Sequence, residues 1–220
     1  MRRSSPHTLA ASEPPELRFD DVRLSTGVRL LAADVIAFMD AMGIERAAIV
    51  GHSMGSFVAQ RAAMAAPERV AGLVLIGSAG DARNEVMLEL EGAMAALPDS
   101  VPTDFATEFQ AGTMHLPVPE EFMQRVVSES AKAPARVWRA ALAGLLENGR
   151  FGGLPDSRAP VLLIWGDCDA IFPRAEQERL AVALPVASLR VYPETGHAPH
   201  WERPGEVVQE LEEFLRAAYW

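Results

Sequence analysis

The amino-acid sequence predicts an α/β fold: a mostly parallel sheet flanked by helices, with a helical cap inserted between two blocks of the chain. Three features carry this. Residues 47–50, 70–76 and 160–165 are short continuous apolar runs, the composition of strands buried on both faces of a parallel sheet. Segments whose apolar residues recur at helical spacing alternate with these runs, and strands alternating with helices build parallel sheets. From residue 81 to 158 the spacing is helical throughout and is cut by Pro98, Pro102, Pro117, Pro119, Pro134 and Pro155, which marks an insertion of short helices.

Taken in chain order, residues 1–16 lack periodicity and read as a flexible tail. Leu17, Phe19, Val22 and Leu24, the Ser25-Thr26-Gly27 turn, and Val28 and Leu30 alternate as a short β-hairpin would. From Leu31 the spacing becomes helical, with Val35, Phe38, Met39 and Met42 on one face before Gly43 ends the helix. A small-residue helix follows the run at 47–50 and closes at Pro67, and the strand at 70–76 comes next. After the insertion come a strand at 160–165, a helix from about Arg174 to Leu184 and a strand at 188–192. A last helix from Gly205 places Val207, Val208, Leu211, Phe214 and Leu215 on one face. The core is thus expected from residues 17–80 and 159–220, and the cap from 81–158.

The chain has 220 residues, 49% of them hydrophobic, enough for one domain with a substantial core. Thirty acidic against twenty basic residues give a net charge of −10, a field that repels phosphate backbones, so nucleic acid is not an expected partner. The single cysteine, Cys168, rules out an intrachain disulfide and an all-cysteine metal site; as a lone cysteine it is expected to be a small buried filler. Met1-Arg2-Arg3 is basic, but no apolar run of secretory length follows. No stretch approaches the roughly 20 apolar residues of a membrane span. The expected setting is the cytoplasm, without membrane contact.

The chemistry concentrates in three places. Gly51-His52-Ser53-Met54-Gly55 follows a predicted strand and opens a predicted helix, the context of the G-x-S-x-G elbow, in which small flanking residues permit a strained turn that exposes the serine hydroxyl. The plain alternative is an ordinary glycine-bounded turn. A serine needs a base, and the base an acid that fixes its tautomer. Two candidates follow in order: Trp165-Gly166-Asp167-Cys168-Asp169 just past one strand, and Thr195-Gly196-His197-Ala198-Pro199-His200 just past the next. Both loops should emerge at the carboxyl edge of the sheet, where sites on such folds collect.

From about Leu31 to its end the chain resembles the α/β-hydrolase fold family, in its esterase-type branch with a helical cap. That resemblance implies Ser53 as nucleophile, Asp169 as acid at the end of a Gly-x-x-Asp turn, and His197 as base in a Gly-His turn before the final helix. Asp167 is the alternative acid, more plausibly holding its turn, and His200 a second candidate base whose spacing suits the motif less. His52 is expected to support the elbow. His115 and His7 lie in unrelated places, so no metal is expected. No other cofactor is expected. The implied oxyanion donor after the nucleophile is the Met54 backbone N–H.

The sequence also departs from that pattern. The family's second oxyanion donor comes from an early His-Gly loop, and no His-Gly dipeptide occurs here. Only about fifty residues precede Ser53, where the family has closer to a hundred. Residues 19–30 resemble its opening hairpin and residues 31–44 the helix directly before the elbow strand, so the intervening central strands are expected to be absent. The strand at 47–50 would then be either open along one apolar edge or paired with the hairpin, and homo-oligomers formed through that edge or through the hairpin are expected.

The expected activity is a serine carboxylic ester hydrolase acting on a small-molecule ester, with Phe105, Phe109, Met114 and Trp138 of the apolar, Met-rich insertion lining a substrate pocket. A carbon–carbon bond hydrolase, lactonase or perhydrolase would use the same triad. A noncatalytic binding protein is the rival from another class.

Overall fold

The structure is a computed structural model and describes residues 27–150 and 159–219. Four parallel strands, β1 (Ala47–His52), β2 (Val70–Ile76), β3 (Val161–Gly166) and β4 (Ala187–Tyr192), pair in sequence order. Helix α1 (Val28–Ala41) precedes β1, and α2 (Met54–Ala65) joins β1 to β2. Helices α3 (Glu85–Ala95), α4 (Thr103–Ala111), α5 (Glu120–Lys132) and α6 (Ala135–Asn148) lie between β2 and β3. Then α7 (Arg174–Ala183) precedes β4, followed by the short α8 (Pro199–Glu202) and α9 (Pro204–Tyr219).

Alternation along the strands explains the layers. Leu73, Leu75, Val161 and Leu163 pack on Ala59 and Ala63 of α2 and Leu180 of α7. Their neighbours Val74, Ile76, Leu162 and Ile164 face Val207, Leu211 and Phe214 of α9 on the other side. Burial of β2 and β3 is complete along their lengths, which is why they read as uninterrupted apolar runs. Packing of α9 is tight at position 72, where a Cβ would lie 3.0 Å from the Phe214 ring.

Several expectations need correction. The first arm of the expected hairpin lies outside the described residues, but Val28 and Leu30 of its second arm belong to α1. Val28 is fully buried with Phe57 and Phe172, and the helical set Val28, Ala32 and Met39 overrides the short alternation. The same register leaves Phe38 and Met42 61% and 62% exposed, so they do not share the buried face of Met39. Val208 likewise falls off the buried face of α9. Residues 1–26 and 151–158, which include the expected tail and the end of the expected cap, lie outside the described residues.

Helix α1 leads directly into β1 with no strand between them. Among the described residues β1 pairs only with β2, and Val50 on β1 is half exposed. This is the edge on which the expected self-association rests.

All four strands run the same way, so their carboxyl ends open onto one edge of the sheet. Ser53, Gly77, Asp169 and His197 all follow strand ends there.

Candidate active site

The elbow begins with the backbone. Ser53 has φ 52° and ψ −124°, a positive φ that a non-glycine residue adopts only under strain of order 1–3 kcal/mol. It is held there by the Ser53 N–H donating to Ile76 O (3.0 Å) and by the Ser56 N–H and Oγ–H donating to Ser53 O (2.8 and 2.6 Å). The two flanking glycines differ in need. A Cβ on Gly51 would sit 2.3 Å from the Gly55 carbonyl oxygen, whereas one on Gly55 would meet nothing within 4 Å. Met54 opens α2, so its N–H has no acceptor one turn back within the helix and is free to meet an anion.

The loop that carries Asp169 is fixed by its own backbone. One carboxylate oxygen of Asp169 accepts from the N–H groups of Ile171 (2.8 Å) and Phe172 (3.0 Å), and the other lies 2.8 Å from His197 Nδ1. The Trp165 indole N–H donates to Phe172 O at 2.9 Å and closes the loop. Asp169 and His197 are both buried. An ionised carboxylate only accepts, so Nδ1 carries the imidazole proton and Nε2 presents its lone pair. Nε2 is buried with no partner among the described residues. Asp167, the alternative acid, is exposed and donates its backbone N–H to Tyr192 O.

Close packing around the loop that carries His197 depends on two further glycines. A Cβ on Gly166 would be 2.2 Å from the carbonyl oxygens of Thr195 and Gly196, and one on Gly77 would be 2.6 Å from His197 O. The His197 ring lies between Phe172 and His52, at centroid distances of 5.6 and 5.0 Å. His52 Nε2 lies 3.1 Å from His197 O, which links the elbow to the base loop. The His200 ring lies tilted against His52 at a centroid distance of 4.4 Å, and its Nδ1 is buried without a partner among the described residues. Burial, then the nearby His197, holds His52 down to about 3 and His200 to about 4, so both are neutral at pH 7. Sequence reasoning did not anticipate this trio, because histidines from the end of β1, the loop after β4 and α8 meet only after folding.

Cys168 corrects another expectation, for it is exposed rather than a buried filler. Its thiol is pushed up, first by local desolvation in its loop and then by the carboxylates of Asp167, Glu194 and Glu202.

A cavity of about 320 Å³ opens beside Ser53 and Met54. Met87, Leu90 and Met94 of α3 line it, as do Phe109 and Gln110 of α4, Val137, Trp138, Ala141, Leu142 and Leu145 of α6, and Ile171. None of these residues is charged. Of the four side chains expected to line a pocket, Phe109 and Trp138 do so. Phe105 instead packs edge-on to Trp138 within the insertion, and Met114 lies at the turn that meets Gly196. The helical stripe Met87, Leu90, Met94 was a visible signal, but which stripe faces the serine is a tertiary fact.

A family model described as the alpha/beta hydrolase family matches residues 6–210. The chain belongs to the alpha/beta hydrolase family. Among relatives of this hydrolase-family chain, it is 29% identical over 217 residues to a dihydrolipoyllysine-residue acetyltransferase component of an acetoin cleaving system from Cupriavidus necator, covering 95% of this chain and 56% of that one. It is 32% identical over 192 residues to a 2-hydroxy-6-oxononadienedioate/2-hydroxy-6-oxononatrienedioate hydrolase from Paraburkholderia phymatum, covering 80% and 65%. The chain therefore spans between about half and two thirds of the length of these relatives. A solved structure of a thermophilic esterase from Thermogutta terrifontis aligns with a TM-score of 0.75 at 25% identity, covering 88% of this chain and 74% of that one.

Proposed function

We propose that this site is a serine hydrolase centre that cleaves uncharged carboxylic esters through an acyl-enzyme. Ser53 Oγ attacks the ester carbonyl while His197 Nε2 accepts its proton, and Asp169 stabilises the resulting imidazolium through Nδ1. The oxyanion is met by the Met54 N–H at the head of α2. The imidazolium then protonates the departing alcohol, and water, deprotonated by His197, releases the acid and restores Ser53. The observation that carries this reading is the buried Asp169–His197 pair at 2.8 Å, with Nε2 unpartnered and the serine on a strained elbow at the same sheet edge.

The uncharged lining of the cavity favours a neutral ester over the dioates in the name of the Paraburkholderia relative, since a buried carboxylate without a cation is costly. The test is turnover of p-nitrophenyl acetate, butyrate and hexanoate beside a 2-hydroxy-6-oxo-dienedioate, with Ser53→Ala as control. Ester turnover that Ser53→Ala abolishes supports the reading. Turnover of the dioate alone would point to carbon–carbon cleavage, and turnover of neither, in a folded sample, to a binding protein.

A further inference from the structure

We propose that Glu202 is a positioning residue for His197, fastening the helical insertion to the turn that carries the base; this rests on the reading of the site given above. Glu202 closes α8, five residues after His197. Its carboxylate gathers three backbone N–H groups from two separate parts of the chain. Oε2 accepts from His115 N at 3.0 Å and Leu116 N at 2.6 Å, both in the loop between α4 and α5. Gly196 N, directly before His197, donates to both carboxylate oxygens at 2.9 and 3.0 Å. A fourth link runs alongside: the His197 N–H donates to Thr113 O at 2.8 Å.

This arrangement is specific to a carboxylate at this place. An anion accepting from several peptide N–H groups makes stronger bonds than a neutral acceptor. The adjacent cation, Arg203, is turned toward Thr195 Oγ1, Pro193 O and Glu206 and so leaves the Glu202 oxygens to the peptide groups. Contact between the two loops is tight enough to require Gly196, whose Cβ would lie 2.6 Å from His115 N and 2.9 Å from Glu202 Oε1.

The functional consequence follows from the path of the chain. The clamped segment 113–116 continues directly from α4, whose Phe109 and Gln110 line the cavity beside Ser53. The loop that follows α4 and the turn that carries the imidazole are therefore tied together at one carboxylate. Release of the clamp should leave the cavity largely in place but let the base drift, and a drift of about 1 Å costs on the order of 100-fold in rate.

The test is a double-mutant cycle on ester hydrolysis. Glu202→Ala in the parent should lower kcat by about 10–100-fold with KM changed by less than about threefold. Glu202→Gln, which keeps one acceptor oxygen, should fall between, and Gly196→Ala should reproduce the loss. In a His197→Ala background, Glu202→Ala should cost less than about twofold, because it then has nothing left to position. Equal losses in both backgrounds, unchanged kcat in Glu202→Ala, or failure of all three variants to fold would overturn the proposal in favour of a purely structural role. If the parent itself neither turns over esters nor reacts at Ser53, the reading of the site falls, and the proposal with it.

Discussion

His52 and His200 lie with ring centroids 4.4 Å apart, next to His197 and Trp201, and burial followed by the nearby His197 keeps them near 3 and 4 instead of the ordinary 6.5. Both folded-state values are depressed, so between pH 6.5 and about 4 the unfolded chain binds protons that the folded protein refuses. Stability from this source is complete above about pH 6.5 and falls as the pH drops through that window. Each histidine contributes a slope approaching 1.4 kcal/mol per pH unit, or about 2 kcal/mol each at pH 5. Because the rings touch, their sum of about 4 kcal/mol is a ceiling. Against a typical total of roughly 5–15 kcal/mol this is large. Urea unfolding at pH 7.5 and pH 5.0 measures it, with the double variant His52→Gln/His200→Gln as control for the carboxylates. The parent should lose several kcal/mol and the control much less. Equal losses in both, or no loss in the parent, would refute the reasoning.

Two further outcomes are expected at the site. Asp169→Asn places an amide N–H₂ against one of the donors now meeting its carboxylate, the Ile171 and Phe172 N–H groups and His197 Nδ1. Ester turnover should fall by about 10³–10⁴-fold, read by steady-state kinetics, while near-parental turnover would remove the carboxylate from its assigned role. In the parent, kcat/KM should rise by about fourfold for each methylene added from p-nitrophenyl acetate to butyrate, the apolar transfer energy of a CH₂ group. Ala141→Trp, which fills the cavity, should flatten that series while leaving the acetate nearly unchanged.

The parallel sheet was legible because β2 and β3 are buried on both faces and admit almost nothing polar. The two loops that carry Asp169 and His197 were legible because each has a glycine where they nearly touch, at Gly166 and Gly196, just past a strand; the choice of Asp169 over Asp167 came from the family resemblance. The start of α1 was not legible, since Val28 and Leu30 satisfy both a two-residue and a helical repeat and only contact with Phe57 and Phe172 decides between them. The cavity was legible only in part: Phe109 and Trp138 stood out as apolar residues of the insertion, whereas which face of α3 and α6 meets Ser53 is set by packing between helices. Glu202 was invisible for the same reason: its partners at His115 and Leu116 lie more than eighty residues away in sequence.

The central claim is that Ser53 is an activated nucleophile, and covalent labelling tests it most directly. After incubation of folded protein with a fluorophosphonate, intact mass and peptide mapping should show one adduct per chain, on Ser53. Labelling should vanish in Ser53→Ala and slow by orders of magnitude in His197→Ala. A folded parent that remains unlabelled, or carries its adduct on another residue, would contradict the account.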